Sequence, residues 1–236
     1  MQKQEKNIIE FRDLGLIDYK DAWDLQLNTL NKVVKEKLDS EDDISPRSQV
    51  VFFCEHPHVF TLGKSGKYNN LLIRDDFLKK INARYYTIDR GGDITYHGPG
   101  QIVGYPVIDL ENHGIKVKEY VWMLEESVIR TLDNFNIPSE RLKGASGVWL
   151  EPDQPGKTRK ICAIGVRVSR YVTMHGFAFN VNTDLRYFDY INPCGFTDKG
   201  VTSMQKELDR EMDVSEVGKV LKERISEVFQ IELVTR

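Results

Sequence analysis

Three stretches of the chain carry apolar residues at helical spacing. The first begins at Asp18, which is placed to cap the opening turn, and continues through Tyr19, Trp23, Leu27, Leu30 and Val34. The second comprises Val117, Tyr120, Leu124, Val128, Leu132 and Phe135, and it ends before Pro138. The third comprises Val217, Val220, Leu221, Ile225, Val228 and Phe229. The pattern predicts three amphipathic helices, each with one face against a core.

Short runs between these helices are bounded by Gly, Pro or Asp and are typical of strands. They predict strands at 49–54, 84–89, 102–109, 147–150, 159–169 and 171–181. Residues 151–156, with two prolines and a glycine, predict a hairpin turn between two of them. Because strands and helices do not alternate regularly, we expect an α+β fold with a mixed, mostly antiparallel sheet flanked by helices.

Composition narrows the classes of protein that fit this pattern. The 236 residues are 40% hydrophobic and 29% charged, and since no Pro/Ser/Gly-rich linker divides them, we expect a single domain over residues 1–236. A net charge of −3 argues against a nucleic-acid binder. Three cysteines indicate a reducing compartment rather than a disulfide framework. With no apolar run near 20 residues and no signal-like start, the sequence predicts a cytoplasmic protein without a membrane segment.

Residues 90–101, RGGDITYHGPGQ, form a glycine-rich segment after a predicted strand. Such glycine density allows the backbone to approach a ligand closely. The segment is neither a Walker loop, since no Gly-Lys-Ser/Thr follows, nor a dinucleotide fingerprint. A plain turn with a hydrogen-bonded His97 is the structural alternative, and we favour a ligand-facing loop.

Two further side chains suggest chemistry. Cys194 lies between Pro193, with its fixed φ, and Gly195, which is a way to hold a thiol on a turn. Lys160 opens an apolar strand, and burial of a lysine makes it usable as a base near neutral pH. Because side chains alternate between the two faces of a strand, Cys162, Ile164 and Val166 are predicted to lie on the same face as Lys160. The structural alternatives are that Cys194 is a small buried apolar residue and that Lys160 extends its amine to water.

Cys54, His56 and His58 alternate along the chain in a way that also suits a metal. Pro57 breaks the strand and a fourth ligand is not local, so no metal site is predicted. His175 is expected to be a hydrogen-bonding structural residue rather than a catalyst, although a neighbouring glycine leaves a binding role open.

Taken together, five blocks closely resemble the lipoyl(octanoyl) transferases. In order, they are EHPHVFTLG at 55–63, RGGDITYHGPGQ at 90–101, RKICAIGVR at 159–167, HGFAFNVN at 175–182 and NPCG at 192–195. Several long blocks in a fixed order are far more specific than one glycine loop. The resemblance implies a fold shared with biotin ligases and lipoate ligases.

The resemblance also implies an activity without a cofactor. An octanoyl group is moved from acyl carrier protein to a lysine of an unlipoylated lipoyl domain, in a 2-oxoacid dehydrogenase complex or the glycine cleavage H protein. The intermediate is an acyl thioester on Cys194, and Lys160 corresponds to the general acid/base. Residues implied to line the acyl site are Arg90, Gly91, Gly92, Asp93, Thr95, Tyr96, His97, Gly98, Ala163, Ile164, Gly165, His175, Gly176, Phe177 and Ala178.

Several hypotheses accompany this reading. Cys162 stands where family members tend to carry Ala or Ser and offers a competing thiol, while His97 is a candidate to orient the thioester carbonyl. Basic residues that are candidates for docking an acidic carrier are Lys64, Lys67, Arg74, Lys157, Arg159 and Arg170. The competing functions are an ATP-dependent lipoate or biotin ligase, which needs no nucleophilic cysteine, and a non-catalytic acyl or carrier-protein binding module.

Overall fold

The computed structural model describes residues 7–39, 48–192 and 199–235, which form two sheets and five α-helices. The strands are β1 (Asn7–Leu16), β2 (Val50–Glu55), β3 (Val59–Leu62), β4 (Arg84–Thr87), β5 (Ile94–His97), β6 (Gln101–Val107), β7 (Glu140–Leu142), β8 (Ala145–Leu150), β9 (Arg159–Ser169), β10 (Val172–Asn180), β11 (Gly200–Val201) and β12 (Ile231–Thr235). The helices are α1 (Tyr19–Asp39), α2 (Asp75–Lys80), α3 (Val117–Asn134), α4 (Met204–Leu208) and α5 (Val214–Phe229).

The large sheet has nine strands in the order β12-β1-β2-β6-β10-β9-β8-β7, with β11 beside β9. β1 runs parallel to both β12 and β2, and β11 runs parallel to β9, whereas the other neighbours are antiparallel. The prediction of an α+β fold with a mixed, mostly antiparallel sheet is confirmed. No helix within the described ranges is long and apolar enough to cross a bilayer.

The large sheet buries both of its faces. One face packs against α3 and α5, through residues that include Phe53, Leu124, Ile161 and Leu221. The other face packs against α1, through residues that include Leu30, Phe52, Val103 and Met174. A small sheet, ordered β4-β3-β5, has its own cluster of buried aromatic and aliphatic residues.

The predicted elements are largely those observed. The three helices are confirmed, the strand at 159–169 is β9, and residues 151–156 join β8 to β9 in an antiparallel hairpin. The sequence interpretation missed β1, β3, β5, β7, β11 and β12. All four residues of β3 are buried, so it shows no alternation of polar and apolar positions. β1 exposes six of its ten residues, and its amphipathic pattern is correspondingly weak.

Candidate active site

A cavity of about 150 Å³ lies between the two sheets. One wall is formed by β6, β9 and β10, and the other by β5 and the glycine loop that precedes it. An apolar cavity of this size is large enough to hold a small hydrocarbon. The fold therefore brings together three of the segments that the sequence analysis singled out, namely 90–101, 159–167 and 175–182.

Most of the predicted site residues lie on the cavity wall. They are Arg90, Gly92, Asp93, Thr95, His97, Lys160, Ala163, Ile164, Gly165, His175, Gly176, Phe177 and Ala178. Gln101 and Asn180, which belong to the quoted motifs 90–101 and 175–182, also line the cavity. The sequence analysis missed other lining residues, including Tyr19, Val103, Tyr105, Ser146, Trp149, Phe188, Ile191, Lys199 and Val201. Trp149 reaches the site only through strand pairing.

Gly91, Tyr96 and Gly98 do not lie on the cavity wall. Tyr96 is fully buried on the opposite side, where its hydroxyl lies 2.7 Å from His58 Nδ1. The N–H of Gly91 donates to the Val166 carbonyl at 2.9 Å and so fastens the loop to β9. A Cβ at Gly98 would lie 1.9 Å from the Tyr96 hydroxyl. These three residues shape the loop rather than contact the cavity.

The floor of the cavity is made of small side chains on neighbouring strands. Val103, Ala178 and Ala163 are cross-strand neighbours on β6, β10 and β9, and Gly176 pairs with Gly165 two residues further along the strands. Neighbouring strands are about 4.8 Å apart, so this row crosses about 10 Å of sheet. The short side chains leave room above the sheet that larger residues would fill.

Lys160 lies on the cavity wall with its Nζ 4.4 Å from the centre of the Trp149 ring. Trp149 is 2% exposed, so this aromatic face offers an ammonium group a largely desolvated site. A cation over a tryptophan face is stabilised by the ring quadrupole, most strongly where water is excluded. Of the two alternatives for Lys160, the structure shows the half-buried side chain at the cavity.

The prediction that Lys160 and Cys162 share a face is wrong. Trp149 pairs with Lys160 and Val148 with Cys162, so one residue of β8 is matched by two of β9 and the strand carries a bulge. The bulge interrupts the alternation of side chains along β9, so Lys160 and Cys162 point to opposite faces of the sheet. Cys162 is buried in the core that faces α3, its Sγ lies 3.6 Å from the Ala163 carbonyl oxygen, and burial raises the pKa of its thiol. It is not a competing nucleophile in this position.

Cys194 lies outside the described residues, and its proposed role stays a prediction. The residues on either side of the gap can be placed. Ile191 and Lys199 both line the cavity, and the N–H of Asn192 donates to the Asn70 carbonyl at 2.8 Å. Val201, just beyond, pairs with Lys160. The chain therefore leaves and re-enters the described structure at the cavity that holds Lys160.

A chain of buried amides fixes the protonation of His97. Asn180 Nδ2 donates to the Thr202 carbonyl at 3.0 Å, so Asn180 Oδ1 accepts from Gln101 Nε2 at 2.9 Å. Gln101 Oε1 must then accept from His97 Nδ1–H at 2.8 Å, which leaves Nε2 without a proton, 3.5 Å from Thr61 Oγ1. Burial holds the pKa of His97 well below its usual value. His97 is a neutral acceptor at Nε2, whereas orienting a carbonyl oxygen would need a donor.

His175 presents a second neutral imidazole. Its φ is +60°, and its N–H leaves the strand ladder to donate to Gln26 Oε1 at 2.9 Å. Ring Nε2 lies 3.2 Å from Asp89 Oδ1, and burial outweighs that carboxylate to lower the pKa of His175 to about 4. Nε2 therefore donates, and Nδ1 is a buried acceptor with no partner in the described part of the chain.

The rings of His56 and His58 are held by other protein groups and are not arranged as metal ligands. The ring of His56 is used by the Ile17 carbonyl at Nδ1 and the Tyr105 hydroxyl at Nε2, at 2.8 and 2.7 Å, and burial lowers the pKa of His56 to about 4. His58 instead contacts Tyr96. Across the ranges 7–39, 48–192 and 199–235, no three His, Cys, Asp or Glu side chains are grouped as metal ligands.

The predicted docking charges differ in their surroundings. Arg159 donates to Glu207 at 2.6 and 2.7 Å and also contacts Glu151, so its charge is already balanced. The remaining candidates are exposed, namely Lys64, Lys67, Arg74, Lys157 and Arg170. Only these are suited to a rim that attracts an acidic partner.

The glycine loop, the small-residue floor and the lysine of β9 define a class of protein. The model of the lipoyl protein ligase A/B catalytic domain matches residues 18–226. An octanoyltransferase of Bacteroides fragilis (strain YCH46) is 54% identical over 224 residues, covering 95% of this chain and 97% of that protein. An octanoyltransferase of Cytophaga hutchinsonii is 48% identical over 237 residues, covering 99% of this chain and 97% of that protein. This chain belongs to the octanoyltransferase family.

Solved structures support the predicted fold. A bi-partite lipoate protein ligase from Thermoplasma acidophilum has a TM-score of 0.67 at 14% identity and covers 97% of this chain and 87% of its own. Biotin protein ligase from Aquifex aeolicus, in complex with biotin and ATP, has a TM-score of 0.52 at 13% identity, with 94% and 70% covered. At these identities the likeness concerns the fold alone, and it confirms the expected fold shared with lipoate and biotin ligases.

Proposed function

We propose that this protein transfers an octanoyl group from acyl carrier protein to the lysine of an unlipoylated lipoyl domain, through an acyl thioester on Cys194. Its relatives are octanoyltransferases over nearly the whole chain. The observation that carries the proposal is that Ile191 and Lys199, which flank the segment with Cys194, line the same cavity as Lys160. The acceptor is a lipoyl domain of a 2-oxoacid dehydrogenase complex or the glycine cleavage H protein, and the chain acts as one catalytic domain.

In the first half-reaction, the Cys194 thiolate attacks the thioester carbonyl of the carrier. The tetrahedral intermediate expels the carrier thiolate, which takes up a proton, and leaves an octanoyl thioester on Cys194. A cysteine with an ordinary pKa near 8.5 is only a few per cent thiolate at about pH 7, so a nearby cation accelerates this step. Lys160 is the proposed cation.

In the second half-reaction, the acceptor lysine attacks the enzyme thioester and Cys194 leaves as thiolate. A lysine with pKa near 10.4 is neutral only about once in 2,500 molecules at pH 7, so removal of its proton is a large part of the barrier. Lys160 in its neutral form accepts that proton, a role worth about 10²–10⁴-fold. Exchange of thioesters is nearly neutral in free energy, whereas amide formation draws the cycle forward.

The acyl chain is proposed to lie over the row of small residues. At about 0.8 kcal/mol per buried CH₂, burial of the octanoyl tail supplies about 5 kcal/mol. Ala178 is at the centre of that row, between Val103 and Ala163, and is 4% exposed. A side chain added at Ala178 therefore competes with the acyl chain for the same volume.

Ala178→Leu is expected to lower the rate of octanoyl transfer about 10- to 100-fold, because it displaces two or three methylenes from the cavity. Hexanoyl transfer is expected to lose less, so the ratio of hexanoyl to octanoyl kcat/KM rises. Ala178→Gly serves as the matched control and retains the wild-type ratio. An unchanged ratio in the leucine variant, with a wild-type melting temperature, would place the acyl chain elsewhere.

The function itself is tested by intact-protein mass spectrometry after incubation with octanoyl-acyl carrier protein in the absence of ATP. A hydroxylamine-sensitive octanoyl adduct, mapped to the peptide of Cys194 and discharged onto an apo lipoyl domain, is the expected result. Octanoyl-adenylate formed from ATP and free octanoate would identify a ligase instead. Carrier binding without adduct or transfer would identify a binding module.

A further inference from the structure

Glu125 is a buried carboxylate that lies outside all the motifs of the site. It belongs to α3 and is 7% exposed. Oε1 accepts from the N–H of Gly147 at 2.9 Å, and Oε2 accepts from Arg141 Nε at 3.0 Å. Burial of a carboxylate costs free energy, which these two contacts offset here.

Gly147 connects this carboxylate to Lys160. Its φ is +114°, a value that favours glycine, and a Cβ there would lie 2.5 Å from the Cys162 carbonyl oxygen and 3.4 Å from Lys160 Cε. The stem of Lys160 therefore passes directly against Gly147. Glu125 holds the N–H of the same residue, opposite the bulge of β9.

The two charges also act on each other. Burial raises the pKa of Glu125, and this is opposed by the Gly147 N–H, by Arg141 and by the charge of Lys160. Such coupling is mutual, so a carboxylate that is stabilised by an ammonium also stabilises that ammonium. The Trp149 ring, 4.4 Å from Nζ, favours the same charged form.

We propose that Glu125 is a positioning residue for Lys160, which fixes β8 against the lysine stem and favours its ammonium form. The consequence for catalysis rests on the proposed function, since it is the ammonium that would stabilise a thiolate. Among the described residues, the other ionisable groups around this pair are Cys162, on the same strand as Lys160, Lys199, on the same cavity wall, and Arg141 on β7, which contacts Glu125.

The test measures Lys160 itself rather than turnover. In the full chain carrying Cys194→Ala, the pH dependence of Lys160 acetylation by acetic anhydride is followed by peptide mass spectrometry. Glu125→Gln keeps an acceptor for the Gly147 N–H but removes the charge, and it is expected to move the half-maximal pH down by about half to one unit. Glu126→Gln is the matched control, because Glu126 also pairs with Arg141 but does not contact Gly147, and it is expected to leave that pH in place.

Arg141→Gln gives a prediction of opposite sign. Loss of the guanidinium leaves the charge of Glu125 less compensated, so the half-maximal pH for Lys160 should rise. This variant keeps the inference testable if Glu125→Gln fails to fold. No shift, or shifts of the same sign in the two folded variants, overturns the inference. Absence of an octanoyl adduct on the wild-type protein would instead overturn the proposed function and leave the labelling result standing.

Discussion

Cys194→Ala is expected to abolish the octanoyl-enzyme adduct and to reduce octanoyl transfer to an apo lipoyl domain by about 10³-fold or more. Without the thiol, the acceptor amine has to attack the carrier thioester directly. The two-step path, in which each step is easier, is lost. The measurement is single-turnover transfer with mass spectrometry of the enzyme at each time point.

Cys162→Ala provides the matched cysteine control. Because Cys162 is fully buried in the core and absent from the cavity wall, its replacement should leave adduct formation at the wild-type rate, with a modest loss of stability. Full turnover in the Cys194 variant with Cys162 intact would assign the nucleophile to another residue. Loss of the adduct in the Cys162 variant, with the fold retained, would contradict the position of that thiol.

Lys160→Ala is expected to slow both half-reactions by about 10²–10⁴-fold. The first slows because the Cys194 thiolate loses its cation, and the second because the acceptor amine loses its base. Rapid-quench measurements of acyl-enzyme formation, and separately of its discharge, check both effects. Lys206, exposed on α4, offers the control Lys206→Ala, which should change neither rate.

Lys160→Arg separates the two roles. Arginine keeps the positive charge but does not lose its proton near neutral pH. Acyl-enzyme formation should therefore be partly retained, whereas discharge to the acceptor should stay as slow as in the alanine variant. Equal recovery of both half-reactions by arginine would rule out Lys160 as the base.

The sequence predicted those features that depend on local patterns. The three long amphipathic helices, the hairpin at 151–156 and the run of β9 all follow from periodicity and turn residues. The glycine loop and the blocks at 159–167 and 175–182 were correctly singled out, since together they supply most of the cavity wall. A mixed sheet followed from the irregular order of strands and helices.

The features that escaped prediction depend on contacts between distant residues. The bulge that separates Lys160 from Cys162 exists only in the pairing of β9 with β8, so the strand's own sequence gives a false period. Tyr96 stands in a loop motif yet faces the aromatic cluster of the small sheet. Glu125 is one of several acidic residues on a helix, and only the tertiary fold brings it to Gly147.

The hydrogen-bonded row from His97 through Gln101 and Asn180 to Thr202 starts on the small sheet and ends on the large one. Loss of any one of these hydrogen bonds would leave a buried polar group without a partner, at a cost of about 1–3 kcal/mol. The row therefore holds the two walls of the cavity, one on each sheet, at a fixed distance from each other. Under the proposed function, the acyl chain enters a cavity whose width is already fixed, and groups that are too bulky for it are expected to be excluded before any chemistry begins.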